Sequence, residues 1–208
     1  ALRKGQTEAI LHGFKEGRFD ILLGTQMVSK GHDFSNVTAV GVLTADSVLN
    51  IPVYTAAERT FDLLTQTAGR AGRGSKSGVV VIQTYNPLNY AIIKSKAHDY
   101  KGFYQEEIQN RQALGYPPFG QMIHLVVRHK DQAKAQTVAQ AIVDDLLAHS
   151  DQADVDVMGP YESTVKMVRD LYRVSIMIRG RDLDPIKAYI EESWIYKQED
   201  LIIDVDPQ

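Results

Sequence analysis

QTAGRAGRG, residues 66–74, places Arg70 and Arg73 three positions apart among small residues, with Gln66 four positions before the first arginine. Upstream, TAAERTFDLLTQTAGRAG repeats Ala57, Phe61, Leu64 and Ala68 at helical spacing, and Thr55 stands where a cap belongs. Downstream, GVVVIQTY (residues 78–85) is a short apolar run of the kind that forms a strand buried on both faces. Two more such runs come earlier, DILLG (20–24) and TAVGVLT (38–44), and a helix is expected over residues 7–15, with Ile10, Leu11 and Phe14 on one stripe. Strands alternating with helices predict an α/β unit, a parallel sheet with flanking helices. Ligands of such sheets sit at the carboxyl ends of the strands, where residues 24–26 (Gly-Thr-Gln) and 44–46 (Thr-Ala-Asp) both fall.

Composition narrows the function classes. With 208 residues there is room for two domains. A net charge of −3 argues against coating nucleic acid by bulk charge and leaves room for a local basic site. There are no cysteines, so disulfides and thiolate metal sites are excluded within this sequence. The six histidines show no metal-ligand spacing and read as surface or edge residues. No apolar run approaches the ~20 residues needed to cross a bilayer, and ALRKGQTEAI has no signal-peptide layout. A cytoplasmic protein without membrane partners is the expectation.

Asn86-Pro87 breaks the alternating pattern. A polar helical stretch follows over residues 88–114, and GYPPFG (115–120) closes it, because Pro117 and Pro118 cannot continue a helix. The rest has a different order. MIHLVVR reads as a strand, residues 131–149 as a helix with Val138, Ile142 and Leu146 on one face, residues 161–168 as a strand and LYRVSIMIR as another. Leu183, Ile186, Ile190 and Trp194 mark a second helix, and LIIDV a final strand. This βαββαβ order predicts a ferredoxin-like α+β domain. In LYRVSIMIR, Tyr172, Val174, Ile176 and Ile178 share one face, and Arg173, Ser175, Met177 and Arg179 the other; His124 and Arg128 likewise fall opposite Ile123, Leu125 and Val127.

The arginines admit two explanations. Glycines end helices, and arginines near a helix C-terminus favour its dipole. Alternatively, glycines let the backbone approach a neighbour while two guanidiniums reach a phosphate on another domain, as arginine fingers do. A phosphate-binding P-loop is excluded here. Gly69 and Gly74 have its spacing, but Ser75 occupies the lysine position.

GTQMVSKGHDF (residues 24–34) and QTAGRAGR together resemble motifs V and VI of the second motor lobe of superfamily 2 helicases. RKGQTEAIL, TADSVLNIPVYTAAERTFDLLTQTAGRAGRG, VVIQTYNP, LGYPPF and the closing DVDP resemble, more narrowly, the PriA family, the primosomal protein N′ or replication-restart helicases. The resemblance runs through essentially the whole chain, in order. It implies a partial RecA-like second motor lobe over residues 1–87, a helical linker over 88–119 and the ferredoxin-like domain over 120–208. It also implies that the chain is a C-terminal fragment. Proteins of this family begin with a DNA 3′-end-binding domain, a first motor lobe carrying the P-loop and an acidic Mg²⁺ motif, and a cysteine-rich zinc-binding insertion.

Several roles follow from the resemblance. Arg70 and Arg73 would contact the γ-phosphate of ATP bound with Mg²⁺ on the first lobe, with Gln66 orienting the network. Gly31 and Asp33 would approach the nucleotide. Gly24, Thr25 and Gln26 would hold a DNA phosphate, and Lys30 would add a charge contact. Lys166, Arg169 and Arg173, in the basic stretch KMVRDLYR, would touch forked or single-stranded DNA or the acidic tail of single-stranded DNA-binding protein. The family's activity is ATP-dependent 3′→5′ unwinding and reloading of the replicative helicase with primosome partners at stalled forks. This chain alone, lacking a P-loop, is expected not to hydrolyse ATP. A non-catalytic scaffold that binds forked DNA is the alternative.

Overall fold

A computed structural model of the chain describes residues 5–25, 34, 36–69, 71, 78–150 and 154–207. The chain divides into two compact units, Ala1–Ile51 with Thr55–Glu106, and Pro52–Tyr54 with Glu107–Gln208.

In the first unit, α1 (Gln6–Lys15) precedes β1 (Ala39–Val42), a short α2 (Asp46–Leu49), α3 (Ala56–Ala68), β2 (Val79–Ile82) and α4 (Tyr90–Lys96). β1 and β2 pair in parallel, Ala39 with Val79 and Val42 with Ile82. Leu64 of α3 buries against Ala45 and Ile92, with Val42, Leu49 and Ile82 packed around them. Phe61, one turn away on the same stripe, stacks on Phe103 with ring centroids 4.4 Å apart. The expected apolar stripe of α3 is therefore the face that covers the sheet.

Four local expectations fail here, the first being that the two strands are buried on both faces: Val79 and Val81 of β2 are 58% and 62% exposed, so among the described residues β2 is covered on one face only. DILLG forms no strand: residues 21–25 are irregular, and Ile21 and Leu23 are 84% and 80% exposed. An apolar run becomes a strand only with a hydrogen-bonding neighbour, and among the described residues β1 and β2 pair only with each other. Thr55 holds the N-cap position of α3, yet its hydroxyl makes no capping bond. Its backbone (φ −85°, ψ 3°) lacks the extended geometry that aims a side chain at the first turn. Finally, the polar stretch 88–114 is two helices. Asn89 caps α4 by accepting from the Ala91 N–H at 2.9 Å. The chain then turns at His98 (φ 50°), and Asp99 accepts from the Gly102 N–H at 2.9 Å to open α5 (Tyr100–Leu114). Gly115 ends α5 in the left-handed conformation (φ 65°). Its N–H donates to the Gln112 carbonyl and the Tyr116 N–H to the Arg111 carbonyl, the two bonds of a Schellman close.

The second unit contains β3 (Gln121–His129), α6 (Gln132–His149), β4 (Val155–Val168), β5 (Leu171–Gly180), α7 (Asp184–Glu192) and β6 (Leu201–Val205). The sheet order is β4-β5-β3-β6 with every pairing antiparallel, the strand order of a ferredoxin-like βαββαβ domain. Asp131 caps α6 by accepting from Ala133 N–H at 2.8 Å and Lys134 N–H at 3.3 Å. Ile142 and Leu146 of α6 and Ile186 and Ile190 of α7 pack with Ile123, Leu125, Val127, Val174, Ile176 and Ile178 into one core on one face of the sheet.

Two details differ from the periodicity. β4 begins at Val155, six residues before the expected start at residue 161, and its pairing with β5 shifts register between Met158 and Tyr161 and between Glu162 and Met167. Trp194 leaves the stripe of α7. Ser193 is extended (φ −84°, ψ 177°), so Ile195 enters the core at 0% exposure while Trp194 stays 39% exposed.

Candidate nucleotide and nucleic-acid sites

Gln66 lies exposed on the last turn of α3. Gly69 follows as the C-cap in a right-handed conformation (φ −65°, ψ 0°), its N–H donating to the Thr65 carbonyl at 3.0 Å. Among the described residues, a Cβ at Gly69 would meet only the Thr65 and Gln66 carbonyl oxygens, at 3.5 and 3.7 Å, which is ordinary contact. A left-handed helix end, the usual reason for glycine at such a place, is therefore absent at Gly69. Arg70 and Arg73 lie outside the described residues.

Gly24 and Thr25 are exposed at the end of the irregular segment 21–25. Gln26, Lys30, Gly31 and Asp33 lie outside the described residues. At the carboxyl edge of the two parallel strands stands Asp46. It is buried, and its Oδ1 accepts from Thr84 Oγ1 at 3.0 Å while its Oδ2 accepts from the Tyr85 N–H at 3.1 Å. Thr84 Oγ1 in turn accepts from the Asn86 N–H at 3.0 Å. Both carboxylate oxygens are thus used internally. Asp46 ties the chain leaving β1 to the chain leaving β2 and so shapes the edge where ligands of a parallel sheet bind.

In the second unit, KMVRDLYR forms the hairpin between β4 and β5. Arg169 and Asp170, both at positive φ (52° and 61°), make its two-residue turn. Lys166 is already paired, its Nζ 2.6 Å from Glu162 Oε1, and that carboxylate raises the lysine pKa. Arg173 sits on β5 directly opposite Arg128 of β3. The structure thus gathers Arg173 with Arg128, a residue that sequence reasoning placed only on the same side of its strand. The six-histidine reading also needs correcting at His124. This ring is half-buried on the sheet, its Nε2 is 3.0 Å from Ser175 Oγ, and Ser175 Oγ is 2.7 Å from Ser163 Oγ. Burial pushes the His124 pKa below its ordinary value, Asp204 pulls it back up, and Arg173 pushes it further down.

At the opposite end of β5, Arg179 pairs with Asp156 at 2.7 Å, lies over the Tyr116 ring at 5.9 Å and borders a cavity of about 960 Å³. Asp154 and Arg181 also line that cavity, so its charges are of both signs. Among the described residues no cluster of His, Asp and Glu could hold a metal ion, and no helix is long and apolar enough to cross a membrane.

Comparison with known proteins matches two family descriptions to this chain. The helicase conserved C-terminal domain covers residues 1–75, and the primosomal protein N C-terminal domain covers residues 112–208. Replication restart protein PriA of Bacillus subtilis is 45% identical over 190 residues, spanning 91% of this chain and 24% of that protein. The chain belongs to the PriA family. The Treponema pallidum PriA is 38% identical over 195 residues, covering 94% of this chain and 29% of its own length. The Synechocystis PriA is 38% identical over 215 residues, covering 99% of this chain and 25% of its own length. The chain thus spans about a quarter of the length of the PriA relatives it matches. The helicase match ends at residue 75, just past QTAGRAGRG, and the primosomal match contains the whole ferredoxin-like sheet.

Proposed function

We propose that this chain supplies part of the second motor lobe and the C-terminal domain of an ATP-dependent 3′→5′ DNA helicase that recognises stalled or forked DNA and restarts replication by primosome assembly. The observation that carries the proposal is the ordered pair of matches, helicase C-terminal domain then primosomal protein N C-terminal domain, on a chain whose two units have the corresponding α/β and ferredoxin-like folds. In this reading residues 1–87 are the motor part, 88–119 the linker and 120–208 the C-terminal domain.

Within the motor part, Arg70 and Arg73 donate to the γ-phosphate of ATP held on the first lobe, and Gln66 keeps them aligned. Guanidiniums are fit for this, since their planar donor forks match phosphate oxygens. Gly69 fits the same reading. With no side chain at Gly69, a neighbour can approach the loop closely there. Gly31 and Asp33 face the nucleotide; Gly24, Thr25, Gln26 and Lys30 hold the DNA backbone. Bound ATP with Mg²⁺ supplies the phosphoryl group and its charge neutralisation. Zinc has no ligand set here, because the sequence holds no cysteine and the described residues hold no His/Asp/Glu cluster. In this proposal zinc belongs to the longer family protein. Forked and single-stranded DNA, single-stranded DNA-binding protein and the helicase-loading proteins are the partners, with Lys166, Arg169 and Arg173 on the DNA, in the cytoplasm at replication forks.

The test is DNA-stimulated ATP hydrolysis by the full-length protein with and without Arg73→Ala, with folding and nucleotide binding checked in both. An arginine finger is worth ~10³ to 10⁵ in rate, so turnover should fall by at least about two orders of magnitude. An unchanged rate moves the finger role to Arg70. An absence of DNA-stimulated hydrolysis in the unaltered protein would favour the non-catalytic scaffold. The 208-residue chain alone should be inactive, and robust hydrolysis by it would defeat the proposal.

A further inference from the structure

On the sheet face turned away from α6 and α7, Arg128 and Arg173 stand side by side on adjacent antiparallel strands. Directly opposed like charges repel, so this pairing is unfavourable unless something negative sits with it. The protein supplies little. Arg128 reaches Asp200 only at 3.6 Å, with the two side chains 34% and 51% exposed, a distance and exposure at which an ion pair is weak. Glu162, across on β4, is taken by Lys166 at 2.6 Å. Arg173 has no ion pair among the described residues. The Nε–H of each arginine is shielded from water and has no acceptor among the described residues. Among the described residues, two adjacent guanidiniums thus share one weak counter-charge, Asp200.

The surroundings say what kind of anion fits. Two residues along β5 from Arg173 on the same face is Ser175, with Tyr161 of β4 directly opposite it; one further rung brings Met158 opposite Met177. Tyr161 is half-exposed and Met158 is exposed, so a flat aromatic and a soft apolar surface lie beside the guanidinium pair. A charged clamp next to a stacking surface is how proteins hold single-stranded nucleic acid without reading its sequence. An acidic peptide would use the charges and leave the platform idle.

We propose that Arg128 and Arg173 form a joint seat for a backbone phosphate of single-stranded nucleic acid, with Tyr161 as the adjoining base platform. The proposal rests on the nucleic-acid reading of this unit and deepens it. It adds Arg128 and Tyr161, makes the two arginines one site, and separates that site from the hairpin charges Lys166 and Arg169.

The experiment measures binding of the whole chain to a fluorescein-labelled oligodeoxythymidylate of about 15 nucleotides by anisotropy, between about 50 and 200 mM salt. The variants are Arg128→Gln, Arg173→Gln, both together, Tyr161→Leu and Lys166→Gln, with Lys134→Gln on exposed α6 as a charge-matched control. A labelled acidic peptide is run in parallel. Circular dichroism and Trp194 fluorescence establish that each variant folds. Each arginine change should weaken oligonucleotide binding about tenfold and lower the salt slope by about one. The double change should cost less than the product of the two, because the arginines share one phosphate. Tyr161→Leu should weaken binding with the slope unchanged, and Lys134→Gln should change nothing. Binding lost in Lys166→Gln but kept in both arginine variants would sink the seat and leave DNA binding by this unit standing. Arginine-dependent capture of the peptide alone would overturn the choice of ligand. No oligonucleotide binding by the unaltered chain would overturn both the seat and the reading beneath it.

Discussion

Asp46 and Thr84 are 38 residues apart in sequence, yet Thr84 Oγ1 donates to Asp46 Oδ1 at 3.0 Å and fastens the exits of two parallel strands to each other. The second carboxylate oxygen takes the Tyr85 N–H at 3.1 Å. The buried carboxylate works beside two backbone bonds between the same exits, Ala45 N–H to the Gln83 carbonyl at 3.2 Å and Gln83 N–H to the Val42 carbonyl at 2.8 Å.

Replacing Asp46 with alanine should therefore loosen the strand exits. It strands a hydroxyl and an amide that had a charged acceptor, at a cost of about 1–3 kcal/mol. Hydrogen exchange at the Tyr85 amide should accelerate by one to two orders of magnitude, roughly the same free energy. Exchange at the unaltered rate would show that another group carries the link.

His124 makes the stability of the second unit depend on pH. Its folded pKa lies below the unfolded value of about 6.5, chiefly through burial, with Asp204 opposing and Arg173 reinforcing. Between the two pKa values the unfolded chain binds more protons than the folded one, so stability rises with pH there. The contribution is complete above about pH 6.5 and is lost as pH falls through the folded pKa. Urea midpoints followed by the fluorescence of Trp194, the sole tryptophan, should drop on acidification through this window. The drop should shrink in His124→Gln, and an equal drop in that variant would assign the effect elsewhere.

Arg111 lies over the Tyr54 ring at 5.0 Å, its Nε donates to Glu107 Oε1 at 2.7 Å, and Tyr54 packs on Tyr116 at 5.8 Å. Glu107 and Arg111 are both largely covered, so deleting the carboxylate leaves a buried cation poorly compensated. Glu107→Ala should cost about 3 kcal/mol of unfolding free energy. Arg111→Lys should also destabilise the unit, because a lysine cannot present a planar fork to the carboxylate and the ring together. A midpoint within error of wild type in both variants would contradict the arrangement.

Ile195 and Trp194 offer a contrast between neighbours. Ile195→Ala opens the core and should cost about 3 kcal/mol. Trp194→Ala, at a 39% exposed position, should cost distinctly less. Thermal unfolding by circular dichroism serves both variants, and the reverse ranking would place the tryptophan in the core.

Much of the fold was legible because period and packing agree. The stripes of α3 and α6 and the alternation in β3 and β5 are the surfaces that pack, so pattern reported structure. Legibility ended where a residue's state depends on something distant. DILLG has the composition of a strand but finds no neighbour among the described residues, and Ser193 turns out of the helix so that Ile195 replaces Trp194. At the candidate sites, motifs V and VI were legible as words, with Gly24, Thr25 and Gln66 placed exposed and Gln26, Lys30, Gly31, Asp33, Arg70 and Arg73 outside the described residues.

The sequence by itself determined the mixed α/β class, the βαββαβ order of the second unit and the family, because these depend on local periodicity, turn residues and ordered motifs. Only tertiary structure decided that Asp46 meets Thr84, that His124 is half-buried against Ser175, and that Arg128 stands beside Arg173. Each of these pairs is joined by strand register across tens of residues. Register is a cooperative property of the sheet, set by every residue that packs on its buried face, and no one stretch of sequence contains it.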